Sequence, residues 1–362
     1  MKSNQLDNKC RFFREKLMGW HLDSNKREMP WKGEKDPYRI WLSEIILQQT
    51  RVEQGWAYYE RFLKKFPNIS ALARASDQVV LKCWEGLGYY TRCRNLIHTA
   101  RYIAFKRKGL FPSTYDDIIQ LKGVGPYTAA AIASFAFNQP HAVVDGNVFR
   151  VLSRYHGLST PIDRPEGKKL FQSLAQGSLD KDQPGQYNQA LMDLGATVCK
   201  PQSPNCADCP LRKNCTAHKT ATVDQFPVKS PAKAKRNRWF YYLIPVWQGK
   251  IPLRMRTAGD VWEGLWEPPL IESARPLRFD ALLKQLHETY EMDWPTKQSV
   301  YERVNLRQVL SHQEIHGSFF RFELQAKPGN FRSFKWLSLK QRAAIPYPKL
   351  IQNYWAESDS HE

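Results

Sequence analysis

Leu121-Lys-Gly-Val-Gly-Pro-Tyr-Thr-Ala129 reads as a glycine hairpin that leads into a helix of small residues, Ala130, Ala131, Ile132 and Ala133. Gly123 and Gly125 permit tight backbone turns and let amide N–H groups point outward. A helix N-terminus with free amides holds a phosphate without reading sequence. An ordinary helix–helix turn is spelled the same way, and one G-x-G does not separate the two. The charge of the chain favours the phosphate. There are 54 Lys and Arg against 35 Asp and Glu, a formal net charge of +19 over 362 residues, with 12 Trp and 16 Tyr available for stacking. That balance points to a polyanion, most simply nucleic acid.

Outward from the hairpin, the pattern is helical from Cys10 to about Leu194, with apolar residues recurring at three and four. Pro37-Tyr38 opens a long periodic stretch through Ile40, Trp41, Ile45, Leu47 and Val52, and a second runs from Ser76 to Trp84. Residues 218–238 have few apolar anchors and carry Pro, Ser, Lys and Arg, as a linker does. A solvated tether and a segment lying on phosphates both fit it, and a nuclear signal at Lys233-Ala-Lys-Arg236 is a weaker fit than a DNA-facing linker. Beyond it, Trp239–Trp247 and Ser318–Leu324 read as strands, with helical patches near 279–291 and 347–355. The expected architecture is multidomain: an all-helical part over 1–217, the linker 218–238, and an α+β domain over 239–356. No run of about eighteen apolar residues exists to span a bilayer, and the first seventeen residues lack the apolar core of a signal peptide. A soluble monomer in a reducing compartment, most simply a bacterial cytoplasm, is the expectation.

Four of the seven cysteines fall together: Cys199, Cys206, Cys209 and Cys215, spaced C-x6-C-x2-C-x5-C. In a reducing compartment such a cluster binds metal rather than forming disulfides. One C-x2-C knuckle is fewer than structural zinc usually uses, and a cubane iron–sulfur cluster tolerates uneven spacing. Spacing alone leaves both open. Glu44 is locally odd, because in a helix its neighbours at three and four are Ile40, Trp41, Leu47 and Gln48. A carboxyl on an apolar stripe is desolvated, its pKa rises, and it acquires the profile of a general acid. A buried pairing with Arg or Lys is the alternative. Asp145 sits where a helix N-cap belongs, and capping alone explains it; its place about twenty residues after the hairpin is what sets it apart. Gln48-Gln49-Thr50 and Gly86-Leu87-Gly88-Tyr89-Tyr90 put polar and aromatic side chains at breaks between helices, where they can wedge into or stack on bases. His312 and His316 are four apart, but in a loop leading into a strand that spacing does not share a face, so no metal is assigned to them.

Taken together, these residues resemble the adenine DNA glycosylases of the MutY type, in the helix-hairpin-helix glycosylase superfamily. The resemblance rests on Asp36–Arg51, Glu85–Tyr90, Gly123–Thr128, Val143–Asn147 and the four cysteines, and runs from about Met29 to Cys215. A fainter likeness continues through Val261–Glu267 and Leu310-Ser311-His312, which resemble a Nudix-like domain that reads 8-oxoguanine; the clustered Arg and Glu of a Nudix hydrolase are absent. The family implies removal of adenine mispaired with 8-oxoguanine or guanine in double-stranded DNA, with a [4Fe–4S] cluster on Cys199, Cys206, Cys209 and Cys215. By the same resemblance, Glu44 protonates adenine N7 and Asp145 stabilises the oxocarbenium-like sugar or attacks it transiently. Tyr127 and Asn147 support the sugar side. Gln49, Thr50, Leu87 and Tyr89 contact DNA around the orphaned lesion, Gly123 and Gly125 take the backbone, and Ser311 with His312 meets the 8-oxoguanine. Tyr127 stands where endonuclease III-like relatives carry a Schiff-base lysine, which implies a monofunctional enzyme. Lys122 replaces a usual Pro of the hairpin, Phe149 carries no assigned role, and Leu310 replaces the Phe that often precedes Ser-His.

Two rival readings are a mismatch glycosylase for thymine or uracil and a non-catalytic lesion binder. The second domain argues against the first. Retention of both Glu44 and Asp145 argues against the second, since a binder needs neither.

Overall fold

The computed structural model describes residues 3–231, 234–257, 259–291, 300–329 and 331–358. Its helices run in chain order as α1 (Ser3–Asp23), α2 (Pro37–Leu47), α3 (Val52–Lys65), α4 (Ile69–Arg74), α5 (Asp77–Trp84), α6 (Tyr90–Arg101), α7 (Tyr115–Ile118), α8 (Pro126–Phe137), α9 (Gly146–His156), α10 (Pro165–Ser178), α11 (Pro184–Thr197) and α12 (Thr216–Lys219). Met1–Arg74 with Asn95–Pro231 makes one unit, and Ala75–Arg94 with Ala232–Glu362 makes a second.

In the first unit, helix ends follow from caps. Asp36 accepts the Tyr38 N–H and Pro37 starts α2; Asp145 accepts the Val148 N–H and starts α9. The periodic stretch from Ile40 to Val52 is not one helix. It ends at Leu47, Gln49 takes a left-handed φ of 58°, and α3 begins at Val52. The spacing crosses the break because both helices face one core: a Cβ on Gly55 of α3 would come within 2.7 Å of Leu47. Phe13, Leu17, Val148, Leu152, Tyr187 and Leu191 are among the residues that fill the core shared by α1, α9 and α11. The glycine hairpin lies between α7 and α8. Only Gly123 needs to be glycine for conformation, with φ +84° and Asn95 Cβ 2.7 Å from where its own Cβ would stand. Gly125 has an ordinary φ of −97° and caps α8. The start of the expected linker is fastened to this unit, through Ile162 N–H to the Val228 carbonyl and Ser230 N–H to Asp163. Lys233, part of the basic run, lies outside the described residues.

The second unit is α+β. Its strands are β1 (Arg236–Val246), β2 (Ile251–Met255), β3 (Trp266–Glu267), β4 (Leu270–Ser273), β5 (Val300–Val309), β6 (Gln313–Glu323) and β7 (Lys335–Leu337), with α13 (Phe279–Tyr290), α14 (Leu339–Ala343) and α15 (Lys349–Ser358). One sheet has the order β4-β1-β6-β5 and a smaller one β3-β2-β7. β1 and β6 run parallel; β5 and β6 form an antiparallel hairpin whose last register pair is Val309 with Glu314. Alternation sends Tyr241, Leu243, Phe320 and Phe322 to α13 on one face, while Gly317 on the other face admits Leu350 of α15. Ala75–Arg94 joins this unit through polar contacts. Trp266 Nε1 donates to Gln78 at 2.7 Å, Lys82 Nζ to the Ile345 carbonyl at 3.0 Å, and Tyr347 N–H to Glu85 at 2.9 Å.

Candidate active site and nucleic-acid interface

Glu44 of α2, Tyr127 of α8 and Asp145 with Asn147 at the start of α9 line one cleft of about 540 Å³ in the first unit. Three helices, each placed by its own cap, thus bring together four side chains that the sequence singles out. Glu44 is only 6% exposed. Burial raises its pKa, a hydrogen bond from the Tyr127 hydroxyl lowers it, and the Asp145 charge raises it again, leaving it at about 7. Asp145 is raised too: burial outweighs three hydrogen bonds that favour its anion. Val148 N–H donates to Oδ1 at 2.7 Å, Asn147 Nδ2 donates to Oδ2 at 2.8 Å, and the Asn147 N–H adds a third bond. Capping and chemistry are therefore both available to Asp145. Both carboxyls are desolvated, and they differ in support: Glu44 has one hydrogen bond that favours the anion, Asp145 has three.

Arg150 extends this arrangement. Its Nη2 donates to Asn147 Oδ1 at 2.8 Å and to the Gly195 carbonyl at 2.7 Å, and its Nε donates to the Cys199 carbonyl at 2.7 Å. One turn on, Arg154 bonds the Lys200 carbonyl at 2.7 Å and the Cys199 sulfur at 3.4 Å. Cys199, Cys206, Cys209 and Cys215 line one small pocket with Arg154, Arg212 and His218, and all four are free thiols. Burial and mutual repulsion push Cys206, Cys209 and Cys215 upward, Cys209 to about 12. Among the described residues no group of three or more His, Cys, Asp or Glu is close enough to hold a single metal ion.

Sequence reasoning passes over Asp193. This aspartate of α11 is fully buried and binds Asn25 Nδ2 at 2.8 Å, Arg27 Nη1 at 2.9 Å, Gln189 Nε2 at 2.9 Å and Lys32 Nζ at 3.3 Å. It thereby fixes the segment between α1 and α2, whose Asn25, Arg27, Trp31 and Lys32 form one wall of the cleft. A signal is present, since Ala190-Leu-Met-Asp-Leu194 carries a carboxylate inside an apolar run just as Ile40–Leu47 does.

Thr50 lines the same cleft, and Gln49 is exposed at the α2–α3 break. Nothing stands within 4 Å of a Cβ placed on Gly125, so the start of α8 is open. In the second unit, Tyr89 is 48% exposed with a left-handed φ of 48°, while Leu87 is buried at 7%. Arg92 lies over the rings of Trp84 and Tyr89 and donates to the Leu87 and Gly88 carbonyls. Tyr89 Oη and Ser311 Oγ are 2.8 Å apart. Ser311 and His312 are the exposed tip of the β5–β6 hairpin, closed by Leu310 N–H to the Gln313 carbonyl. His312 is at that tip and His316 on β6, on different stretches of backbone as expected.

A glycine hairpin before an Ala-rich helix, with a paired acid and carboxylate in the adjoining cleft, defines a class: helix-hairpin-helix proteins of base excision repair. Residues 42–176 match the family model described as HhH-GPD superfamily base excision DNA repair protein, and residues 241–357 match a NUDIX domain. The adenine DNA glycosylase of Buchnera aphidicola (subsp. Acyrthosiphon pisum, strain APS) is 34% identical over 254 residues, 70% of this chain and 73% of that one. The human adenine DNA glycosylase is 41% identical over 222 residues, 59% of this chain and 40% of that one. Among solved structures, a thermostable thymine-DNA glycosylase superposes with TM-score 0.55 at 28% identity, covering 59% of this chain and 98% of that one. A trapped endonuclease III–DNA covalent intermediate shares the fold with TM-score 0.52. The chain belongs to the adenine DNA glycosylase family. The expected fold class, a helix-hairpin-helix core followed by a Nudix-like α+β domain, is the one observed.

Proposed function

We propose that this protein removes adenine mispaired with 8-oxoguanine, or with guanine, from double-stranded DNA and leaves an abasic site. The observation that carries the proposal is Glu44, buried, titrating at about 7 and bonded by Tyr127 beside Asp145. Adenine must leave the stack before its glycosidic bond can be reached, and the cleft has room for a base. Glu44 in its protonated form donates to adenine N7, so the base departs as a neutral leaving group. The sugar is left with oxocarbenium character, and the Asp145 anion stabilises that charge or bonds to it transiently before water attacks. The division of labour is that of two-carboxylate glycoside hydrolysis. Asn147 holds Asp145 in place, and Arg150 holds Asn147. Tyr127 offers no amine, so no Schiff base forms and the backbone stays intact.

The four cysteines suit a [4Fe–4S] cluster. Four thiols converge on one pocket, and a cubane cluster takes four thiolates at uneven spacing. Such a cluster would supply a cross-link that fixes the loop bearing Lys200, Arg212 and Lys213, cations suited to phosphate. In the second unit, Tyr89 and the Ser311-His312 tip, joined by their hydrogen bond, are suited to meeting the 8-oxoguanine.

Asp145→Asn tests the catalytic assignment. Asn still caps α9, so the variant should fold and bind mispaired duplex like the parent. Its single-turnover adenine release should fall on the order of a thousandfold or more. Release at the parental rate would remove Asp145 from the mechanism.

A further inference from the structure

The large sheet of the second unit is not fully covered on its α13 face. Tyr241, Leu243 and Phe320 are buried beneath α13 and its neighbours. Farther toward the hairpin, the same face presents Asn237 and Trp239 from β1, Glu314, His316 and Ser318 from β6, and Arg303, Asn305 and Arg307 from β5, none of them buried. The strand register aligns them in rows: Trp239, His316 and Arg307 lie in one, Ser318 and Asn305 in the next. The rows are tied together. Trp239 and His316 stack at 5.0 Å with 12° between planes. His316 Nε2 lies 3.1 Å from Asn237 Oδ1 and 3.4 Å from Glu314 Oε1, Arg307 bonds Glu314, and Ser318 donates to Asn305 at 2.8 Å. An ordered, uncovered polar shelf results.

Its charge is one-sided. Lys235, Arg303 and Arg307 are exposed around it, against Glu314, which is partly covered and bonded to Arg307. Trp239 and His316 stack on one another, and around them the shelf exposes cationic and amide donors. It is continuous with the hairpin, because the Arg307–His316 row stands two residues, about 7 Å, from the closing pair Val309–Glu314. We propose that this shelf binds the phosphate backbone of the DNA strand that the hairpin tip reads. Binding there extends the footprint of the second unit beyond the lesion and contributes affinity without sequence information. The inference rests on the lesion-reading role of Ser311 and His312 stated above.

The test uses the full protein and a duplex with a non-hydrolysable 2′-fluoroadenosine opposite 8-oxoguanine, with affinity measured across salt. Arg303→Ala/Arg307→Ala should lower the slope of log affinity against log salt by about 1 to 2, since each phosphate no longer neutralised takes away about 0.9. Glu314→Gln should act in the opposite direction and tighten binding. Lys284→Ala/Lys340→Ala removes two exposed cations from helices of the same unit and should leave the slope unchanged. An unaltered slope in the Arg303/Arg307 variant, or an equal fall in the Lys284/Lys340 variant, overturns the proposal. The reading on which it rests fails separately: Ser311→Ala should lose excision preference for 8-oxoguanine over guanine while keeping the parental salt slope. Retained preference overturns the lesion reading, whatever the arginine variants show.

Discussion

At the scale of single residues, the site is a contest between desolvation and hydrogen bonding. Glu44 loses more to burial than the Tyr127 hydroxyl returns, and so it titrates at about 7. If it is the acid, single-turnover adenine release should decline as pH rises through about 7. Tyr127→Phe removes the bond that favours the anion, so the alkaline limb should move to higher pH. A limb that stays in place or moves down would show that Tyr127 does not govern Glu44. The same carboxyl has a stability cost with a definite sign. Its folded pKa lies above the unfolded 4.5, so stability is lost as pH rises between 4.5 and about 7 and the whole penalty is present above that. Glu44→Gln should therefore stabilise the protein at pH 8, by up to about 3 kcal/mol, while abolishing release; urea unfolding of both proteins measures the difference. The oddness of Glu44 is legible in sequence as an acid on an apolar stripe, but the stripe alone does not separate it from Asp193, whose burial is explained by pairing with Arg27 and Lys32. The Tyr127 contact with Glu44 is not legible there, because it arises only through the packing of α2 against α8. The bonds from Asn147 and Val148 to Asp145, by contrast, are local N-cap bonds that the sequence position implies.

At the scale of elements, capping and burial place the chemistry. α9 begins with Asp145 in the cleft and carries Arg150 and Arg154 to the cysteine loop one and two turns on. α11 lies against α9 and holds Asp193, which ties down the segment from Asn25 to Lys32. Asp193→Asn keeps the shape but leaves Arg27 and Lys32 without their shared anion. It should cost about 3 kcal/mol of stability and raise the substrate concentration needed for half-maximal rate more than it slows the chemical step. A variant with parental stability and saturation would show that the cleft wall stands without Asp193. Where local sequence misleads, the cause is also at this scale. Ile40 to Val52 keeps one apolar period because two helices face the same core, and periodicity does not report the left-handed turn at Gln49. The second glycine of the hairpin invites a conformational reason from sequence; its backbone needs none, and its use is the bare, open start of α8.

At the scale of the whole molecule, the chain joins a helical unit that holds the acid–carboxylate pair to an α+β unit that holds the hairpin tip. Motif order announces both halves, because glycine hairpin, Val-Asp-Gly-Asn and four cysteines occur in succession ahead of a strand-rich region. Sequence does not announce that Ala75–Arg94 groups with the second half. Gln78, Lys82 and Glu85 look like ordinary solvated helix residues until Trp266, Ile345 and Tyr347 are seen to meet them. That grouping is what sets Tyr89 beside Ser311. The central claim, excision of adenine opposite 8-oxoguanine without strand cleavage, is tested most directly by single-turnover cleavage of labelled duplexes. These would carry adenine opposite 8-oxoguanine, adenine opposite guanine, and thymine opposite guanine, each with and without hot alkali. The account predicts breaks at adenine that need alkali and form fastest opposite 8-oxoguanine, with none at thymine. Adenine left intact by iron-loaded protein, or strand breaks without alkali, would contradict it.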